Sequence, residues 1–558
     1  MSTFGGLSIA LTSLQAQQRA LEIASNNIAN ASTAGYSREA PELTSLGSDV
    51  PALFSTSTGD GQGVQVASIQ RFSDEFMQIQ DALQHASLAS LQQSNTTLQG
   101  VENVFGEPSD SGIASQLSSF WSAWDSVAND PGDPGTRSVL VQQATSVAST
   151  INAAASSLQT MQTTETSQLG TVVDQINSTA ASLAQVNQSI KSGTISGLDV
   201  SQLEDQRDQL AGQLAQLTGA TVQQGQFNQV NVSVGGSNLV FENQTQALSL
   251  NTSGPNAVLQ TQNGAAVSVT SGQAGAMLSD INTVLPSYMT SLDTVATTLR
   301  DQVNNVVNQI SGTIPASATD QSAAGSLQFN VSLDGGSFAT VSVAGADWSG
   351  AGGAAALQSA LQSGLDSAVG AGTATATVSA NSDGSLSVSI APAGAHTLQV
   401  EATGSNVGFA TLLGTTPVGS DGIGGRDFFT GTDAASLAVS SAVDADPAAV
   451  TAGVVGNGPL DGSVGLQLAD MATSTTGADA SYNSMIVQLG ADAQDVSNRT
   501  NLQQATTQTT DNALTSQDGV NTDEEMTNMV EYQKAYEASA QFVSTLNTML
   551  DSLIQMVA

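Results

Sequence analysis

The run MVEYQKAYEASAQFVSTLNTMLDSLIQMV, residues 529–557, carries the clearest helical period in the sequence. Met529, Tyr532, Tyr536, Val543, Leu546, Leu550, Leu553 and Val557 recur at steps built from three and four, the apolar seam of a coiled-coil helix, with only Ser539 out of character. Just ahead, Thr522 and Glu525 stand at capping-box spacing, and Asp523, Glu524 and Glu525 fall where a helix dipole favours acids. At the other end, Leu7, Leu11, Leu14, Leu21 and Ile28 keep a matching rhythm, with Gln18 and Ser25 at its polar positions. Two such stripes predict helices that pair with each other and with neighbouring molecules. Ordinary core helices of a monomer would carry the same period.

Working inward, the Asn26, Asn27 and Asn30 cluster weakens the first helix, and Gly35 suits the left-handed turn that closes it. The Gly59–Gly63 stretch with Val64 and Val66 reads as a turn into a strand, after which Phe72, Phe76, Ile79 and Leu83 restart a helix. Helical spacing runs to about residue 217, broken where Pro131, Gly132, Pro134 and Gly135 force a linker. From 220 the period falls to two: Val230, Val232 and Val234 precede Gly235-Gly236, a hairpin signal. A helix returns through Leu285–Val306, and a Gly/Ser/Thr/Val-rich stretch with turn signals at Asp334-Gly335-Gly336 and Asp383-Gly384 reads as a second β unit.

The predicted class is multidomain α+β, with long coiled-coil-like helices from both termini forming a rod and β-rich domains inserted in the middle. The segments are a terminal helical domain at 1–50 and 510–558, helical rod pieces at 51–220, 275–318 and 430–509, a small β domain at 221–274, and a β-rich outer insertion at 319–429. A length of 558 residues, about 150 per domain, agrees with several domains.

Composition narrows the function. With 48 Asp+Glu against 10 Lys+Arg the net charge is −38, so nucleic acid and anionic membranes are poor partners. No run approaches the roughly 20 apolar residues of a spanning helix, and the first residues lack the basic and apolar regions of a cleavable signal peptide. Cysteine is absent, which excludes thiolate metal sites and Cys nucleophiles. The two histidines, His85 and His396, offer no ligand spacing and read as surface residues; no GxSxG elbow surrounds any serine. We therefore expect no catalytic residues, no metal and no cofactor. Aromatics are only 4%, so cores are expected from Leu, Val, Ile and Ala.

Ala24–Arg38, reading ASNNIANASTAGYSR, resembles the signature of flagellar rod, hook and hook-associated proteins, and Gly61–Val66 with Arg71 and Asp74 resembles that superfamily's second shared element. Leu203–Leu210, reading LEDQRDQL, is similar to a helix of the hook-associated protein 1 family of hook–filament junction proteins, as are Gly519–Met526 and Tyr532–Ala540. Asn26, Asn27, Asn30, Thr33, Gly35, Tyr36, Arg38, Asp205, Arg207, Asp208, Glu525 and Met526 carry these motifs. The resemblance implies terminal helices lining an inner tube, with Leu7, Leu11, Leu14, Leu21, Ile28, Tyr532, Tyr536, Val543, Leu546, Leu550 and Leu553 at subunit interfaces. It also implies hook protein, the second junction protein, copies of the chain itself and an export chaperone at the C-terminal helix as partners, and an extracellular place reached without a cleavable signal. Rival readings are another axial protein, hook protein or flagellin-like, and an extracellular adhesin. Residues 319–429 match no motif of the family.

Overall fold

The computed structural model describes residues 3–46, 63–307, 310–323, 325–333, 337–393, 398–402, 427–453 and 460–557. The chain folds as two units, each built from discontinuous segments.

The first unit comprises Met1–Thr97, Thr164–Asn282 and Gln494–Ala558. Helix α1, Thr3–Asn30, lies antiparallel to the C-terminal helix, Thr522–Val557. Three contacts fix one register: a Cβ on Gly6 would sit 3.4 Å from Leu546 Cδ1, the Ser13 and Ser539 hydroxyls are 2.8 Å apart, and Asn27 Nδ2 donates to Glu525 Oε2 at 3.0 Å. Ser539, the break in the apolar seam, thus has a polar partner. The face of α1 buried here is small, with Gly6, Ala10, Ala20, Ala24 and Asn27 recurring at heptad steps. The leucine stripe lies beside it: Leu7, Leu14, Leu21 and Ile28 are half-buried and Leu11 is 55% exposed. The expectation that the two large apolar stripes meet within one chain is corrected, because small side chains let the helix backbones approach closely and leave the leucines at the edge of the contact. On the C-terminal helix Leu546 is buried, Tyr532, Val543 and Leu550 are half-buried, and Tyr536 is exposed; the Leu553 side chain lies outside the described residues.

After the Gly35 turn, strands β1 (Glu39–Ser45) and β2 (Val64–Arg71) pair antiparallel; most of the expected Gly59–Gly63 turn lies outside the described residues. Helix α2, Glu75–Phe105, follows. Between 106 and 112 and again between 196 and 200 the helical run breaks, so α3 is Ile113–Asn129, α4 is Pro134–Ile195 and α5 is Ser201–Thr218. The 221–274 region forms two small antiparallel sheets, and Gly235-Gly236 joins β3 (Val230–Val234) to β4 (Ser237–Phe241) as the spacing predicts. Leu169, Ile176 and Leu183 of α4, Leu214 of α5, and Val232, Val240 and Leu259 share its core. Three asparagines clamp the sheets, each with both ends of its amide: Asn177 on Leu248, Asn187 on Val230 and Asn282 on Ala257, at 2.7–3.1 Å.

The second unit comprises Leu98–Thr163 and Thr283–Ala493. Five aromatics cluster here: Phe120, Trp121, Trp124, Phe428 and Phe429 pack with ring centroids 4.9–6.3 Å apart, so this core is not purely aliphatic. Asn304 of α6, Leu285–Val307, accepts from the Phe428 and Phe429 amides at 2.8 and 2.9 Å. The β insertion has two three-stranded sheets and its own core of Phe329, Val341, Trp348, Val388 and Ile390. It takes in Ile310–Ile314, which pairs with Leu386–Pro392 ahead of the expected 319 boundary, and it holds a 17-residue helix, Gly353–Val369, that a purely β reading omits. The Asp334-Gly335-Gly336 turn, residues 403–426 and His396 lie outside the described residues.

Candidate interaction site at the chain termini

Asn27, fully buried near the end of α1, is the centre of a polar hub in the first unit. Its Nδ2 donates to the Glu39 carbonyl at 2.8 Å and to Glu525, while its Oδ1 accepts from the Glu39 amide at 3.1 Å and the Tyr36 hydroxyl at 2.8 Å. All four hydrogen-bonding positions of the amide are used, which suits a group that has lost its water. Glu525, 3% exposed, also accepts from Arg38 Nε at 2.8 Å, and Arg38 Nη2 reaches Glu524 at 2.8 Å. The Arg38 guanidinium covers the Phe72 ring at 5.1 Å, and its amide donates to the Asp518 carbonyl. The N-terminal motif is thereby held to the C-terminal helix by a buried charge pair with satisfied neighbours.

A second pair lies against the first. Arg71 Nε donates to Asp205 and Nη2 to Asp208, both at 2.8 Å; Arg207 binds Asp208 and the Asn228 carbonyl. Asp205 also accepts from the Ser37 amide at 3.4 Å, tying the 31–38 loop to α5. Gly35 has φ +76°, and a Cβ there would lie 2.3 Å from Gln209 Nε2, whose hydrogen bond to the Ala34 carbonyl closes the loop. Burial pushes the Glu39 carboxyl up to about 7, with Asp199 and Asp205 adding to it, and burial raises Asp205 against the pull of Arg71. A cavity of about 500 Å³ opens beside the loop, lined by Gly35, Tyr36, Arg71, Asp208 and Asp518 among others.

The structure thus gathers Asn27, Gly35, Tyr36, Arg38, Asp205, Arg207, Asp208 and Glu525 at one place. Asn30 Nδ2 bonds Asn26 within the helix, and Thr33 bonds Asn30; these close the turn rather than enter the hub. Met526 points to solvent, 54% exposed. The capping-box expectation for Thr522 is corrected. Asn521 caps the helix, its Oδ1 accepting from the Asp523 amide at 3.1 Å, while Glu525 turns inward to Arg38 and Asn27. Sequence reasoning missed Glu39 and Asn521; the Asn directly before an acidic first turn was the available cue for the cap. Along the two helices, Leu11, Met526, Val530, Tyr536, Phe542, Met549 and Met556 remain 38–75% exposed, and Phe542, Met549 and Met556 stand seven residues apart. Such spacing puts them on one face of a supercoiled helix.

Residues 98–334 match the flagellar hook-associated protein FlgK helical domain, residues 7–36 the flagella basal body rod protein family, and residues 515–556 the flagellar basal body rod FlgEFG protein C-terminal family. Flagellar hook-associated protein 1 of Escherichia coli is 26% identical over 98% of both chains. Its Bacillus subtilis counterpart is 34% identical over 40% of this chain and 44% of its own length, and that of Salmonella typhimurium 29% over 38% of each. A solved structure described as the flagellar hook junction protein FlgK from Burkholderia pseudomallei covers 78% of this chain and 99% of its own, with a TM-score of 0.48 and 18% identity. Asn27 and Glu525 join the two rod-type segments, Arg38 two residues past the first adds to the contact, and the hook-associated helical domain lies between them in the sequence. The chain is similar to flagellar hook-associated protein 1 along nearly its whole length, and these similarities support a structural component of the flagellum.

Proposed function

We propose that this chain joins the flagellar hook to the filament, with α1 and the C-terminal helix pairing in coiled-coil fashion with the same helices of neighbouring axial subunits. The observation that carries this reading is the apolar surface left open once the two helices have packed together. Leu11 and the heptad row Phe542, Met549 and Met556 belong to helices already satisfied on another face, so a further helix is the natural cover. Each residue of this kind gains roughly 1.5–3 kcal/mol on full burial. The neighbours are hook protein on one side, the second junction protein on the other, and copies of this chain around the ring. The subunit works outside the cell, its C-terminal helix held by a chaperone before export. Immunogold labelling of an epitope placed in the β insertion tests the location: gold at one position between hook and filament supports the junction, and gold along the filament length refutes it.

A further inference from the structure

We propose that Asp81, His85 and Asp511 form a binding site for a divalent transition metal of the zinc class. Asp81 and His85 are one helical turn apart on α2, so both point from one face. Asp511 comes from the helix Ala478–Asp518, 426 residues further along the chain. His85 Nε2 stands 2.9 Å from Asp511 Oδ1 and 3.7 Å from Asp81 Oδ2, and the three ligand atoms lie within 4.8 Å of one another. Ligands about 2.1 Å from a tetrahedral zinc ion sit about 3.4 Å apart, so the two measured separations straddle the spacing that the ion requires.

A second observation points to a cation. The other oxygen of Asp81, Oδ1, is buried and has no hydrogen-bond partner among the described residues. Among the described residues neither aspartate pairs with a Lys or Arg, and the ion pair each makes is with His85. One nitrogen and two carboxylate oxygens suit Zn²⁺ or Co²⁺, whereas Ca²⁺ and Mg²⁺ prefer all-oxygen shells. The side chains of His85 and Asp511 are each 37% exposed, which leaves room for water as a fourth ligand. The site forms only when the chain is folded, so ion binding adds to the stability of the first unit by clamping α2 to the penultimate helix.

The full-length chain, stripped with a chelator, is titrated near neutral pH with ZnCl₂ by calorimetry and with CoCl₂ by visible absorption. The proposal expects one ion per chain, a visible ligand-field band and a raised unfolding temperature. His85→Ala and Asp511→Asn each weaken binding by more than about 100-fold, since even an outer partner of a metal ligand is worth roughly 10–100-fold. His396→Ala leaves binding unchanged. Circular dichroism checks that the variants fold, and His85→Asn and Asp81→Asn repeat the comparison should the first pair not. Three results overturn the proposal: no binding at millimolar metal; equal binding by parent and variants, which would assign the ion to other surface acids; or a His85 imidazole resonance that titrates with pH yet ignores zinc, which would leave a protonated histidine as the cation between the aspartates.

Discussion

Asn27 shows how a residue that looks unsuited to its element serves the fold. In a helix it lowers propensity, yet here its amide clamps the Glu39 backbone and the Glu525 carboxylate at once. Arg38→Ala removes the cation from a carboxylate that is 3% exposed and should cost about 3 kcal/mol, read as a lower denaturant midpoint at unchanged slope. Glu165 and Asp280 form a second buried acidic site, where the Thr97 hydroxyl lies 3.2 Å from Glu165 Oε1 and 2.9 Å from Asp280 Oδ2, and Gln93 Nε2 donates to Glu165 at 3.1 Å. Burial, with Asp280 close by, pushes Glu165 up to about 7, and burial pushes Asp280 up to about 6. Both folded values exceed the value of about 4 in an unfolded chain, so the folded state keeps protons that the unfolded state has released. Their stabilising contribution is fully present below about pH 4 and is lost as pH rises through 6 to 7. Thermal unfolding between about pH 4 and 8 should show the parent losing stability relative to the Glu165→Gln, Asp280→Asn double variant; a parent that gains on the variant with rising pH contradicts the assignment.

At the scale of elements, α1 carries two heptad rows one residue apart. The leucine row was legible in the sequence because large apolar residues dominate any periodicity, while the alanine row was not, because alanine is common throughout this chain and gives no contrast. Yet Ala10, Ala20 and Ala24 face the C-terminal helix. The two rows should respond differently to substitution. Leu11→Asp with Met549→Asp should leave monomer stability within about 0.5 kcal/mol and abolish assembly, since both sites are exposed in the free chain. Ala20→Leu, at a fully buried position, should cost about 1–3 kcal/mol by overpacking the intramolecular contact. Sedimentation of the variants together with their denaturant midpoints separates the two effects. Helix Gly353–Val369 escaped a reading guided by Gly and Ser content, although Leu357, Leu361 and Leu365 form a buried stripe of four-residue steps. The helix asparagines that clamp distant strands, Asn177, Asn187, Asn282 and Asn304, were not legible at all, because a bond across tens of residues leaves no local pattern.

For the whole molecule, the order of helical ends, a small β region and a larger β insertion was readable from changes of period, while the division into two units that each recruit distant segments was not. The insertion has its own core, and Asn304 holds the chain where it returns at Phe428 and Phe429. Replacing residues 310–426 with a short Gly-Ser linker should therefore preserve export and filament attachment, with any loss confined to filament stiffness or surface recognition; motility and electron microscopy of cells carrying the trimmed chain provide the readout. If this chain is the proposed joint, filament subunits find no seat on the hook without it. The most direct test is to delete the chain, leave the other axial proteins in place, and measure flagellin in the culture medium alongside micrographs of the cell surface. Bare hooks and abundant free flagellin, both reversed by supplying the chain in trans, are the predicted result, whereas intact filaments on the hooks of the deletion strain would contradict it.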